Sequence, residues 1–317
     1  MTKNRAIRIV AFAALILASF PLASPGAHAE KYDTARVVTI GGAATEIVYA
    51  LGLSDKVVAV DVSSTYPPEA LATKPNVGYI RALSPEGVLS VGPTLIIAME
   101  GAGPPDAVKV LKSASIPLVT IPEARDGAQV VANIRHVAEI MGVPAEGARV
   151  ADAVAADFAT LAAMRARITT PRKATFVLST SGAAPVVGGT ETSADAIFKL
   201  AGIDNAMSAI KGYKPGVDEA MLAAEPYAFI LMQDRSHALG NDAVMKLPAF
   251  ANTPAAQAGR IFRIDGGYML GFGPRTPQAA HDLAVAVYPE LNLPALPQHP
   301  WNQTPAATAP AHTGSPG

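Results

Sequence analysis

Residues 144–168, PAEGARVADAVAADFATLAAMRARI, decide the fold. Val150, Val154, Phe158, Leu161, Met164 and Ile168 recur at helical spacing, the pattern of an amphipathic helix. Pro144 suits a first helical turn, and no glycine interrupts the run after Gly147. At 1.5 Å per residue such a helix is roughly 35 Å long, about the width of a small domain. The spacing therefore predicts a rigid connector between two lobes.

Both flanks fit that expectation. Before the connector, residues 36–40 read as a strand, Gly41-Gly42 as the turn, 43–51 as a helix ended by Gly52, and 57–60 as a second strand. Strand–helix–strand units build parallel sheets. The glycine turn lacks the G-x-G-x-x-G spacing of a dinucleotide site. A helix over 84–91 with Ser84 as N-cap, strands at 95–98 and 117–121, and helices at 106–113 and up to Met141 complete a first lobe. After Pro171 the alternation resumes, with strands at 174–179, 227–232 and 260–264 and helices at 193–200 and 276–287. The predicted fold is α/β: two Rossmann-like lobes joined by one long α-helix, with a ligand cleft between them.

The N-terminus has the pattern of a secretory signal peptide. Lys3, Arg5 and Arg8 precede an apolar run from Ile9 to about Leu22, and Ala27-His28-Ala29 gives a small-x-small cleavage site. The run is shorter than the roughly 20 residues a membrane span needs, and Pro21 and Pro25 interrupt it. The expected division is 1–29 signal peptide, 30–143 first lobe, 144–169 connecting helix, 170–290 second lobe and 291–317 a disordered Pro- and Ala-rich tail. Six prolines fall in residues 292–317, which makes Trp301, His299 and His312 poor candidates for an ordered site. His136 and His281, within predicted helices, read as surface residues.

Composition excludes several functions. Cysteine is absent, so disulfides, thiolate metal sites and a cysteine nucleophile are excluded. The signal carries three of the 25 basic residues; the remaining 22 face 26 acidic ones, a net charge of about −4. No basic excess suggests nucleic acid. No G-x-S-x-G elbow or H-E-x-x-H zinc motif is present, and an enzyme is not expected. Free-metal transport would need several converging His, Asp or Glu ligands.

The loop after the second strand draws the eye: Asp61-Val62-Ser63-Ser64-Thr65-Tyr66-Pro67-Pro68-Glu69. Proline pushes its predecessor out of the helical region, so Tyr66 should sit on a stiff extended loop. Loops after strand C-termini are where α/β folds bind ligands. An ordinary turn tyrosine with a wet hydroxyl would look the same.

Two segments repeat. Glu86, Leu89, Pro93, the strand 95–98 and Met99 match Glu219, Leu222, Pro226, the strand 227–232 and Met232 in spacing. Generic helix–Pro–strand connections account for the apolar positions. A glutamate in each first turn favours the helix dipole, and the pair could equally be two acidic knobs grasped by a symmetric partner.

The chain resembles the helical-backbone class of periplasmic binding proteins, which serve ABC importers of siderophores, cobalamin and haem, and more closely the haem-binding members. The residues carrying the resemblance are Thr45-Glu46-Ile47-Val48-Tyr49-Ala50-Leu51-Gly52, Thr65-Tyr66-Pro67, residues 78–87 (GYIRALSPEG), Thr192-Ser193-Ala194-Asp195, Gly212-Tyr213-Lys214-Pro215 and residues 270–276 (LGFGPRT), within a match from about 35 to 288. The resemblance implies a monomeric periplasmic protein of iron uptake. Such a protein delivers ferric haem to the permease subunits of an ABC importer, with an outer-membrane haem receptor acting upstream. A cobalamin or ferric-siderophore carrier is the alternative. It implies Tyr66 as the iron ligand, since tyrosine phenolate is an accepted axial ligand of haem. Arg81 and Arg235 are candidates for easing the phenol's ionisation or for pairing with propionates, because arginine forks onto carboxylates; each could also be a solvated surface charge. Some members add a histidine from the loop after the first strand of the second lobe, but residues 179–182 here hold none. His237, on another loop, is the candidate replacement. Glu86 and Glu219 match the glutamates through which the family docks its transporter.

Overall fold

A computed structural model describes residues 32–181, 184–233 and 239–303. The connecting helix is Pro144–Arg165. It buries Val150, Ala151, Val154, Leu161 and Met164, and it packs tightly along the helix Gly127–Ile140. A side chain at Gly147 would meet Ala138 Cβ, and one at Gly127 would lie 2.9 Å from the Phe158 ring. Two glycines thus set the close approach of these helices.

The first lobe is a four-stranded parallel sheet in the order Val57–Val60, Val37–Ile40, Leu95–Met99, Leu118–Ile121. The inner strands are buried almost throughout, as expected where helices cover both sides. The second lobe centres on Ala228–Gln233, paired in parallel with Lys173–Ser179 and Ile261–Asp265. Residues 41–51, read as turn and helix, form the helix Gly42–Ala50 with Gly41 at φ 101°, a conformation open to glycine.

The second sheet departs from the purely alternating expectation. Val186–Gly188 and Tyr213–Pro215 add antiparallel strands at its edge, and Asp204–Asn205 adds a short parallel one. In the first lobe, Gly78–Tyr79 and Ala82–Leu83 form a small hairpin. Strands of two or three residues are too short to show a period of two, so pairing alone reveals them.

The repeated segments take equivalent places. Pro85–Ser90 precedes Leu95–Met99, and Asp218–Ala223 precedes Ala228–Gln233; each strand is internal to its sheet. Glu86 and Glu219 are exposed.

Residues 292–303 correct the reading of a disordered tail. Leu296 is 3 % and Trp301 7 % exposed. His299 Nε2 lies 2.9 Å from Asp157 Oδ2 on the connecting helix, and the His299 and Trp301 rings stack at 4.7 Å. Two apolar anchors and one buried polar partner outweigh a composition that reads as unstructured. His281 is also corrected: it is buried, with Nε2 2.9 Å from the Pro294 carbonyl oxygen. Residues 304–317, with His312, and the signal-peptide stretch 1–29 lie outside the described residues. Among the described residues no helix is long and apolar enough to cross a membrane.

Candidate functional site

Parallel α/β sheets bind ligands at the carboxyl ends of their strands, and here both sheets present those ends to one cavity of about 1070 Å³. The first lobe contributes Gly41 and Gly42, Ser63 and Thr65, Met99 to Gly101, and Glu123. The second contributes Met232 and Gln233, Asp265 to Gly267, and Leu270 and Gly271. The repeat is visible in the chemistry: Met99 and Met232, the matching ends of the two repeated strands, face the same cleft. Each lies against a glycine, Gly41 or Gly266, where a Cβ would collide with it.

The hairpin 78–83 projects Tyr79, Ile80 and Arg81 into the cleft. Asp61, fully buried, fixes it. One Asp61 carboxylate oxygen accepts from the Gly41 amide at 2.7 Å and the Ser64 hydroxyl at 3.1 Å; the other accepts from the Ser63 and Ile80 amides at 3.1 and 3.2 Å. The Val62 amide donates to Gly78 O, and the Gly103 amide to Ile80 O, both at 2.8 Å. The hairpin is therefore held from two sides, while Tyr79 stays 47 % exposed. Neither Tyr79 nor Arg81 has a side-chain hydrogen-bond or ion-pair partner among the described residues.

Tyr66, expected as the iron ligand, is not among the residues lining the cleft, although its neighbour Thr65 is. Its ring lies under the Arg275 guanidinium, 3.5 Å from the ring centroid, and its hydroxyl donates to the Gln303 carbonyl at 3.1 Å. Burial pushes the phenol above its ordinary value; Arg275 opposes this, and Glu46 and Glu69 add to it. Donation to a carbonyl favours the neutral form of the phenol. The sequence does not say which way the ring points.

Arg275 and Glu46 escaped the sequence reading as site residues, although both lie in stretches that carry the resemblance. Arg275 Nε donates to Glu46 Oε2 at 3.0 Å and its Nη2 to Oε1 at 2.5 Å, with both side chains below 10 % exposed. Burial pushes the Glu46 carboxyl up, and Arg275 is the strongest opposing influence. Glu46 also lines the cleft. The other cleft acids are engaged as well. Glu100 accepts from the Glu123 amide at 3.1 Å, Glu123 pairs with Arg125 at 3.0 Å, and Asp265 accepts from the Tyr268 amide at 2.8 Å. Arg81 is left as the uncommitted cation of the described lining. Arg235 and His237 lie outside the described residues. No group of three or more His, Asp or Glu among the described residues could hold a metal ion.

The comparisons with known proteins agree with this architecture. The family model for periplasmic binding protein matches residues 37–268. The solved periplasmic heme-binding protein RhuT from Roseiflexus sp. RS-1 is 37 % identical, superposes with a TM-score of 0.78, and covers 82 % of this chain and 100 % of its own. An uncharacterized ABC transporter substrate-binding lipoprotein, YvrC of Bacillus subtilis, is 26 % identical over 263 residues, 82 % of each chain. The Vitamin B12-binding protein of Vibrio cholerae is 37 % identical over 98 residues, a match spanning 31 % of this chain and 35 % of that one. The family model covers well over half of the chain, and the chain belongs to the periplasmic binding protein family.

Proposed function

We propose that this chain carries haem to an ABC importer, binding it in the interlobe cleft without transforming it. The observation that carries the reading is the pair Tyr79 and Arg81: an unpartnered phenol and an unpartnered guanidinium, two residues apart, both lining the cleft. A phenolate suits ferric haem as an axial ligand, and a guanidinium suits a propionate. A free phenol ionises near pH 10, so iron itself must displace the proton, which is easiest for a hydroxyl that donates to nothing else. Tyr79 meets that condition and Tyr66 does not. The likeness to RhuT over the whole length of that protein supports haem.

Cobalamin is the second reading, favoured by the 98-residue match to the Vitamin B12-binding protein. Cobalamin already carries its own cobalt ligands and presents amides where haem presents carboxylates, so it would leave the Tyr79–Arg81 pair without a task. Competition decides between them. The protein is loaded with haemin and challenged with excess cyanocobalamin, and the reverse. Haemin retained against cyanocobalamin supports the haem reading; haemin displaced stoichiometrically overturns it.

In the same reading the protein is exported to the periplasm, and Glu86 and Glu219 dock the permease subunits. Glu219 borders a shallow hollow with Leu222, Pro248 and Thr253, and Leu222 is 47 % exposed, a surface suited to a partner with both apolar and basic side chains.

A further inference from the structure

Glu46 belongs to the first lobe, on the helix Gly42–Ala50, and Arg275 to the second, immediately before the helix Thr276–Val287. Their paired hydrogen bonds therefore cross the junction between the lobes. The guanidinium is covered by a ring from each lobe: Tyr66 at 3.5 Å and Tyr268 at 5.0 Å. Both rings are themselves fixed, Tyr66 by Gln303 O and Tyr268 by Asp282 Oδ2 at 2.7 Å. The backbone around Arg275 is shaped for this contact. Phe272 holds a left-handed φ of 51°, uncommon for a bulky residue. A Cβ on Gly273 would stand 2.9 Å from Glu46 Oε2. A second close crossing lies beside it, where a Cβ on Gly267 would stand 2.9 Å from Thr65 Oγ1. Glu46, Thr65 and Gly267 all line the cleft, so this junction forms part of its wall.

We infer that Glu46 and Arg275 are positioning residues: their buried pair, flanked by Tyr66 and Tyr268, is an interlobe clamp that fixes the spacing of the cleft walls. The connecting helix joins the lobes, and the Glu46–Arg275 pair adds a tie at the cleft wall itself. A bidentate pair is directional, because a planar guanidinium and a carboxylate match in one geometry only. The inference rests on the cleft being the binding site and not on haem being the ligand.

The test uses no ligand, so its failure and that of the haem reading are separate. The chain has no cysteine, so exposed Lys109 and Lys246, one on each lobe, can be replaced by cysteine and spin-labelled without background. Pulsed electron-spin distance measurement on that labelled protein should give one narrow distribution. Adding Glu46→Gln or Arg275→Gln should broaden it and add longer distances. Combining both should do no more than either alone, since the two act as one unit. Glu46→Gln keeps the shape of the side chain, so a folded variant is available; circular dichroism of each variant confirms the fold before labelling. Distributions unchanged by both single substitutions would overturn the clamp, as would broadening that sums in the double variant.

Discussion

The Arg275 guanidinium stands 3.5 Å from the centroid of the Tyr66 ring while both of its forked donors engage Glu46. This makes Tyr66 a lid on a buried ion pair. Breaking such a pair by removing one partner leaves an uncompensated buried charge, at a cost of about 3–5 kcal/mol. Arg275→Leu should lose stability on that scale in urea unfolding. Tyr66→Ala should lose less, about 2 kcal/mol for a desolvated cation–π contact, on top of its lost packing. If Arg275→Leu unfolds at the wild-type midpoint, the pair is not sealed from solvent.

Asp61 predicts a second, separable effect. Its carboxylate satisfies the amides of Gly41, Ser63 and Ile80, and each buried amide left without a partner costs about 1–3 kcal/mol. Asp61→Ala should therefore release the hairpin that carries Tyr79. The expected outcome is weakened haemin binding together with faster hydrogen exchange over residues 78–83. Weaker binding with unchanged exchange there would assign Asp61 another role.

Much of this fold was legible in the sequence. The connecting helix, the four parallel strands of the first lobe and the Glu–Leu–Pro–strand repeat are written in local periodicity, and the structure reproduces them to within a residue or two at most ends. The site was legible only in part. Arg81 was recognised and lines the cleft. Tyr79 stood within the quoted stretch 78–87, but its strand is two residues long and leaves no pattern. Glu46 and Arg275 are 229 residues apart, and only the packing of one lobe on the other brings them together. The first part of the tail, residues 292–303, was misread because proline content was weighed above the two side chains, Leu296 and Trp301, that anchor it.

His281 gives a pH dependence. Its hydrogen bond to Asp282 is the main influence raising it above its ordinary value, and the Pro294 carbonyl adds to this. The folded state therefore holds the proton more tightly than the unfolded chain. The stabilisation is complete below the unfolded value of about 6.5 and is lost as pH rises through the folded one. Thermal unfolding should show Tm falling across that interval, and His281→Gln should flatten this component. A Tm that rises with pH there, and falls in the variant, would contradict the assignment.

Glu86 and Glu219 are exposed and have no ion-pair partner among the described residues. Replacing either with Gln should leave haemin affinity unchanged and slow association with the importer in nanodiscs, with a weaker salt dependence, since exposed charges act chiefly on association rate. Surface plasmon resonance at two ionic strengths reads both. Equal association rates for wild type and the double variant would remove the docking role.

The most direct measurement is the visible spectrum of haemin titrated into wild type, Tyr79→Phe and Tyr66→Phe. The account predicts saturable binding with phenolate-to-iron charge-transfer bands in wild type and in Tyr66→Phe, and their loss in Tyr79→Phe. Bands that survive in Tyr79→Phe and vanish in Tyr66→Phe would contradict it and return the iron to the loop after the second strand.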